Sequence, residues 1–180
     1  MTKRCQALRL NRVRFNILLM SDNDYISADD PPVFGLEHQL CFATYAAALS
    51  FNRAYRAPLD ALGLTYPQCL VLMVLWDRDN VTIGEIGEQL ALETNTLTPM
   101  LKRLEKMEMV ERRRDPQDER RVLVSLTESG RAVQPQVGQV MQCLGAATQM
   151  TRGQVGELVQ ELKSLRKNLD LAVSNGSVET

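Results

Sequence analysis

The sequence predicts a mainly α fold (α+β), a winged helix-turn-helix flanked by long helices, and three observations predict it. Thr82-Ile83-Gly84-Glu85 is a capping box that opens a short helix through Leu90, and after the turn Ala91-Leu92-Glu93 a second helix runs from about Thr94 to Met107. Two β-prone runs follow, Val110 to Arg114 and Arg121 to Leu126, which pair as a hairpin across the polar tip Asp115 to Arg120. Apolar segments at helical spacing stand on both sides of this unit.

Taken in order, the first 34 residues read as a flexible arm: a basic start (Lys3, Arg4, Arg9, Arg12, Arg14), then acidic residues closed by Pro31-Pro32. Met20 followed by Ser21-Asp22 reads like an alternative translation start, so residues 1 to 19 are either dispensable or a basic arm that touches nucleic acid. From Leu36 to about Tyr55 an Ala-rich apolar segment predicts a long first helix. Thr65 as N-cap and Pro67 in the first turn open a core helix through Leu70, Val71, Met73, Val74, Leu75 and Trp76, which Asp77 to Asn80 stop. After the hairpin, Thr127 caps a helix toward Ala147 that Pro135 and Gly138 kink or delay. A second capping box, Thr151-Arg152-Gly153-Gln154, opens a last helix carrying Val155, Leu158, Leu162, Leu165 and Leu169.

The expected organisation is a flexible arm over 1–34, a winged-helix domain over 35–172 and a disordered tail over 173–180. Within the domain, 81–127 is the reading head, and 35–57 and 128–172 are dimerisation helices. A chain of 180 residues cannot bury so much terminal apolar surface alone. An intertwined homodimer of the N- and C-terminal helices buries it.

A formal net charge of -1 supplies no bulk attraction to nucleic acid, so binding must come from arrangement. Between Lys102 and Arg131 nine Lys or Arg face seven Asp or Glu, a small surplus. With Leu97, Leu101 and Leu104 inward, Lys102, Arg103 and Lys106 can track phosphates, while Asn95, Thr96 and Thr98 sit where side chains reach base edges in a major groove. Arg120 and Arg121 at the hairpin tip suit a minor groove. The expected partner is double-stranded DNA.

Cys5, Cys41, Cys69 and Cys143 contain no C-x-x-C pair and fit reduced thiols better than a disulfide framework or zinc site. No stretch approaches the roughly 18 apolar residues of a membrane helix, and a cytoplasmic protein without membrane contact is expected. Cys69 reads as core filler and Cys5 as incidental. Cys41 reads either as a small buried hydrophobe or as a reactive thiolate near a helix start. Tyr45 lies at i+4 from Cys41 on the same face. Tyr55, fourteen residues along, is about 21 Å away and reaches that thiol only from another subunit.

Leu97-Thr98-Pro99-Met100-Leu101-Lys102-Arg103-Leu104-Glu105, then Asp118-Glu119-Arg120-Arg121 and Val124-Ser125-Leu126-Thr127-Glu128-Ser129-Gly130, resemble the signature of MarR-family regulators, a similarity covering roughly Leu36 to Leu169. The resemblance implies that Asp118 braces Arg120 in the minor groove, and that a dimer reads a pseudo-palindromic operator with half-sites about 34 to 36 Å apart.

Leu40-Cys41-Phe42-Ala43, Tyr55 and Leu62-Gly63-Leu64-Thr65-Tyr66-Pro67-Gln68 resemble the organic-hydroperoxide-sensing (OhrR) branch of that family. That implies a repressor in which Cys41 is the redox sensor and Tyr45, Tyr55 and Tyr66 hydrogen-bond its sulfur, the last two across the dimer. Organic hydroperoxides are then the signal, a peroxide-detoxification gene the target, and Cys143 or a small cellular thiol the resolving partner. Cys69 departs from the aromatic residue more usual at its place. The expectation is a regulator, not an enzyme, with no cofactor and no metal. Three rivals stand beside it: a metal sensor using Glu37, His38 and Cys41, a MarR-type repressor released by a small aromatic ligand, and a thiol peroxidase using Cys41.

Overall fold

The computed structural model describes residues 34–176, and the basic arm and Cys5 lie outside them. The described residues fall into two units that divide between Ala43 and Thr44. In the first, Leu36–His38 is a 3-10 turn, and Gln39 at φ -89°, ψ 114° separates it from helix α1 (Leu40–Asp60). The single helix expected from Leu36 to about Tyr55 is therefore corrected at both ends. It starts four residues later because Gln39 is extended, and it runs on through Pro58, whose ring falls in the last turn.

The second unit holds α2 (Tyr66–Asp77), β1 (Val81–Thr82), α3 (Ile83–Leu90), α4 (Thr94–Lys106), β2 (Val110–Asp115), β3 (Asp118–Leu126), α5 (Glu128–Ala132), α6 (Gln134–Ala147) and α7 (Arg152–Ser174). Three helices close in the same way. After α1, Leu64 N donates to Leu59 O and Gly63 N to Asp60 O, with Gly63 at φ 70°. This Schellman cap puts the buried Leu59 and Leu64 against each other. The same bond pair closes α3 around Ala91 at φ 53° and α4 around Glu108 at φ 56°. The tight turn of the helix-turn-helix is the α3 cap.

Helix α2 is the core helix: Cys69, Val71, Leu72, Val74 and Leu75 are buried, together with Leu59, Val81, Ile86, Leu97, Leu101, Leu104 and Val124. The leucine period of α4 is all inward, and truncating one such leucine to alanine costs about 2–5 kcal/mol. A Cβ at Gly87 would lie 2.7 Å from Leu92 O and 3.3 Å from Leu97 Cδ1, so only glycine lets the turn pass this close to α3.

The three strands pair antiparallel in the order β1-β3-β2, Val81 opposite Val124 and Val110 opposite Leu126. The hairpin tip is tighter than expected, with only Pro116 and Gln117 between strands. Asp115 Oδ1 accepts from Gln117 N at 2.9 Å, closing the turn early, and a bulge takes up Glu119 to Arg121, since Arg114 pairs with Val122 but Asp115 with Asp118. The helix expected from Thr127 to Ala147 is divided at Val133, two residues before Pro135, while Gly138 lies in the uninterrupted α6.

Candidate nucleic-acid interface and thiol site

The threonine hydroxyl of Thr82 accepts from Glu85 N at 3.2 Å and Glu85 Oε2 accepts from Thr82 N at 2.7 Å, fixing the start of α3. The Thr82 N–H first, then the Thr82 hydroxyl, each donating to the Glu85 carboxylate, hold that carboxyl below the usual carboxylate range, with Arg78 and Arg121 adding. Burial of Leu97, Leu101 and Leu104 leaves Asn95, Thr96, Lys102, Arg103 and Lys106 exposed on the far side of α4. Thr98 differs: its hydroxyl donates to Thr94 O at 2.7 Å and the residue is half-buried.

At the hairpin tip Asp118 grips Arg120 three times, accepting from Arg120 N at 3.1 Å, from Nε at 3.1 Å and from Nη2 at 3.4 Å. The Arg120 side-chain bond, then its backbone N–H and the neighbouring Arg121, hold the Asp118 carboxyl low. Arg120 itself is 91% exposed, a cation held at its root and open at its end. Arg121 is employed differently: its Nε lies 3.9 Å from the buried Asp115 carboxylate and its charge acts on Glu85 and Asp118. Arg120 is thus the more exposed of the two adjacent arginines, while Arg121, 53% exposed, also stands within ion-pair distance of Asp115.

Sequence reasoning missed the support beneath the hairpin. Asp79 Oδ1 accepts from Leu126 N and from Asn80 N, each at 2.9 Å, and Oδ2 pairs with Arg131. Asn80 Oδ1 accepts from Arg113 Nη2 at 2.9 Å and from Ser125 Oγ at 3.1 Å. Arg112 Nε donates to Glu105 at 3.0 Å, joining β2 to α4. These partners lie far apart in the chain, and Asp77 to Asn80 carried only the signal of a helix stop.

In the first unit Cys41 is exposed in the opening turn of α1, and His38 Nε2 lies 3.6 Å from Glu37. Among the described residues no three His, Cys, Asp or Glu side chains gather as a metal site. In the second unit Tyr55 and Tyr66 stack with centroids 4.5 Å apart and planes at 16°, and Phe51 continues the stack at 6.3 Å from Tyr55. The Gly63 turn folds α2 back so that these rings meet. Burial, with Tyr66 and Cys69 nearby, raises the Tyr55 pKa, and burial with Cys69 nearby raises that of Tyr66, so both phenols keep their O–H. Tyr45 is not brought to this pair: it is exposed, ten residues and about 15 Å before Tyr55 on α1.

Cys69 is fully buried and pushed up to about 11, a silent core thiol. Cys143 is a free, exposed thiol on α6, at a pocket of about 420 Å³ lined also by Pro58, Leu62, Gln136, Gln139, Val140 and Leu144. No residue of the 23-residue α7 is buried, and Val155, Leu158, Val159, Leu162 and Leu169 are exposed. No helix among the described residues is long and apolar enough to cross a membrane.

Comparison with known proteins follows the same segment. Residues 53–136 match the family model of the transcriptional regulator SarA/Rot. The chain is 46% identical over 141 residues to the HTH-type transcriptional regulator TtmR of Methylorubrum extorquens, covering 78% of this chain and 71% of that protein. It is 50% identical over 95 residues to the organic hydroperoxide resistance transcriptional regulator of Bacillus subtilis, covering 53% of this chain and 65% of that protein. Among solved structures, AbfR of Staphylococcus epidermidis is 37% identical with a TM-score of 0.65, covering 74% of this chain and 92% of that one. Reduced AbfR bound to DNA and overoxidized AbfR bound to DNA each superpose at 0.64, and disulfide-formed AbfR at 0.56. With its helix-turn-helix and hairpin framed by long helices, and with this degree of identity to named regulators, the chain belongs to the SarA/Rot and MarR type of winged-helix transcriptional regulators.

Proposed function

We propose that the protein is a homodimeric repressor that binds a pseudo-palindromic DNA operator and is released when Cys41 is oxidised by an organic hydroperoxide, derepressing a peroxide-detoxification gene. The observation that carries this reading is the Tyr55–Tyr66 stack, two protonated phenols fixed by each other and by burial. Such O–H groups are the donors a thiolate needs, and the exposed thiol of a partner's Cys41 is their proposed acceptor. The exposed apolar residues of α1 and α7 support a dimer that brings the two together. The identity to the Bacillus subtilis hydroperoxide regulator supports the class of oxidant.

In the proposed reaction the Cys41 thiolate attacks the distal oxygen of the hydroperoxide. The O–O bond breaks, the alkoxide leaves as an alcohol after taking a proton, and Cys41 becomes a sulfenic acid. A second thiolate, from Cys143 of the partner subunit or from a small cellular thiol, then attacks that sulfur, the S–O bond breaks, the disulfide forms and the departing hydroxide takes a proton to leave as water. Overoxidized AbfR is bound to DNA. Carried to this chain, that structure supports the disulfide, rather than over-oxidation of the thiol, as the releasing step.

The test is operator binding before and after one equivalent of organic hydroperoxide for the parent, Cys41→Ser and Cys143→Ser. The parent is expected to dissociate and Cys41→Ser to stay bound. Cys143→Ser is expected to stay bound until a small thiol is added. Release of Cys41→Ser like the parent sinks the sensing proposal and leaves DNA binding standing.

A further inference from the structure

The hairpin is rooted on very little sheet. Beyond its own two strands it pairs, among the described residues, with β1 alone, through Val81 and Thr82. Besides the Arg112–Glu105 bond to α4, two residues soon after α2 hold it. Asn80 Oδ1 takes one hydrogen bond from each strand, from Arg113 on β2 and Ser125 on β3, and Asp79 holds the Leu126 N–H and the guanidinium of Arg131 in α5. Asn80 sits at φ 56°, a left-handed conformation that asparagine tolerates and that aims its amide into the hairpin.

We propose that Asp79 and Asn80 are positioning residues for DNA binding, a clamp that sets the direction of the hairpin and so the reach of Arg120, without touching DNA themselves. The inference rests on the reading of Arg120 as a DNA contact. Arg120 stands five residues along β3 from Ser125, about 17 Å at the rise of a strand. A swing of roughly 10° at the base therefore moves the tip by about 3 Å, the length of a hydrogen bond. The clamp also occupies Arg113, which serves hairpin geometry and not a phosphate.

A double-mutant cycle on operator affinity separates this from a general loss of stability. Asn80→Gly keeps the backbone conformation and deletes the acceptor, and Asp79→Asn keeps the shape and deletes the charge. Each is measured with Arg120 present and with Arg120→Ala, and thermal melting confirms folding. The expected result is a loss of about tenfold in affinity from either clamp variant with Arg120 present, falling to under about twofold in the Arg120→Ala background. Equal losses in both backgrounds, or none with Arg120 present, overturn the clamp while the Arg120 contact stands. If Arg120→Ala binds like the parent, the reading of the tip fails and the clamp fails with it, an outcome the single variant identifies by itself.

Discussion

Gly130→Ala tests whether the junction between hairpin and α5 is as tight as its geometry says. A Cβ there would lie 2.0 Å from Met109 O, 3.0 Å from Met109 C and 3.1 Å from Leu126 Cδ2, where ordinary contact begins at 3.4 Å. Met109 cannot yield cheaply, because its N–H closes α4 on Leu104 O at 3.0 Å and its carbonyl accepts from Thr127 N at 3.1 Å. Gly130 cannot yield either: its N–H donates to the Thr127 hydroxyl at 3.0 Å and its carbonyl accepts from Trp76 Nε1 at 3.0 Å. Overpacking costs about 1–3 kcal/mol, an orphaned partner of Trp76 about 1–3 kcal/mol, and a weakened cap about 1 kcal/mol. The expected loss is therefore about 3–7 kcal/mol, a large share of a typical domain's stability. Urea unfolding is the assay, read as a fall in midpoint at unchanged slope. Gly138→Ala is the control, since nothing lies within 4 Å of that Cβ and a helix-interior alanine is expected to stabilise by about 0.5–1 kcal/mol. A loss below about 1 kcal/mol at Gly130 refutes the reasoning.

Acid should weaken the head through Asp79, Glu85 and Asp118. Burial pushes the Asp79 carboxyl up, but the Leu126 N–H, Arg131 and Asn80 outweigh it, so all three carboxyls end below their ordinary values. Their contribution is present above the unfolded carboxylate pKa, about 4, and is lost as pH falls through the folded values. Asp79→Asn should flatten the stability profile below about pH 4, and an unchanged profile contradicts the bond pattern. Leu158→Asp with Leu162→Asp should move sedimentation from a dimer to the 20.3 kDa chain, whereas an unaltered mass removes α7 from the interface. Ala91→Gly should gain about 0.5–1 kcal/mol by relieving its left-handed conformation, and a loss on urea unfolding counts against that cap. Cys69 should resist iodoacetamide until the chain unfolds, and labelling in native buffer would show the core thiol more open than its packing implies.

What the sequence made legible is local. The capping boxes of Thr82 with Glu85 and Thr151 with Gln154 span three residues, and both form. The leucine period of α4 follows from helix geometry alone, whereas the Asp118 grip on Arg120 was implied by family resemblance. The hairpin bulge and the two-residue β1 escaped because neither leaves a periodic pattern in so few residues. The clamp was illegible for another reason: Asn80 meets Arg113 and Ser125 across 33 and 45 residues, and Asp79 meets Arg131 across 52, separations no local spacing encodes. Tyr55 and Tyr66 were singled out by family resemblance as two residues. Their stacking is a product of the Gly63 turn.

The proposal that Cys41 oxidation controls the reading head is tested most directly by following both events in one sample. Operator release is recorded by fluorescence anisotropy during a hydroperoxide titration, while mass spectrometry of a sulfenic-acid trap and of disulfide-linked peptides reports the state of Cys41 at each point. The account predicts that release tracks the fraction of Cys41 in a disulfide. Release while Cys41 remains a thiol, or full conversion to the disulfide with the operator still bound, contradicts it.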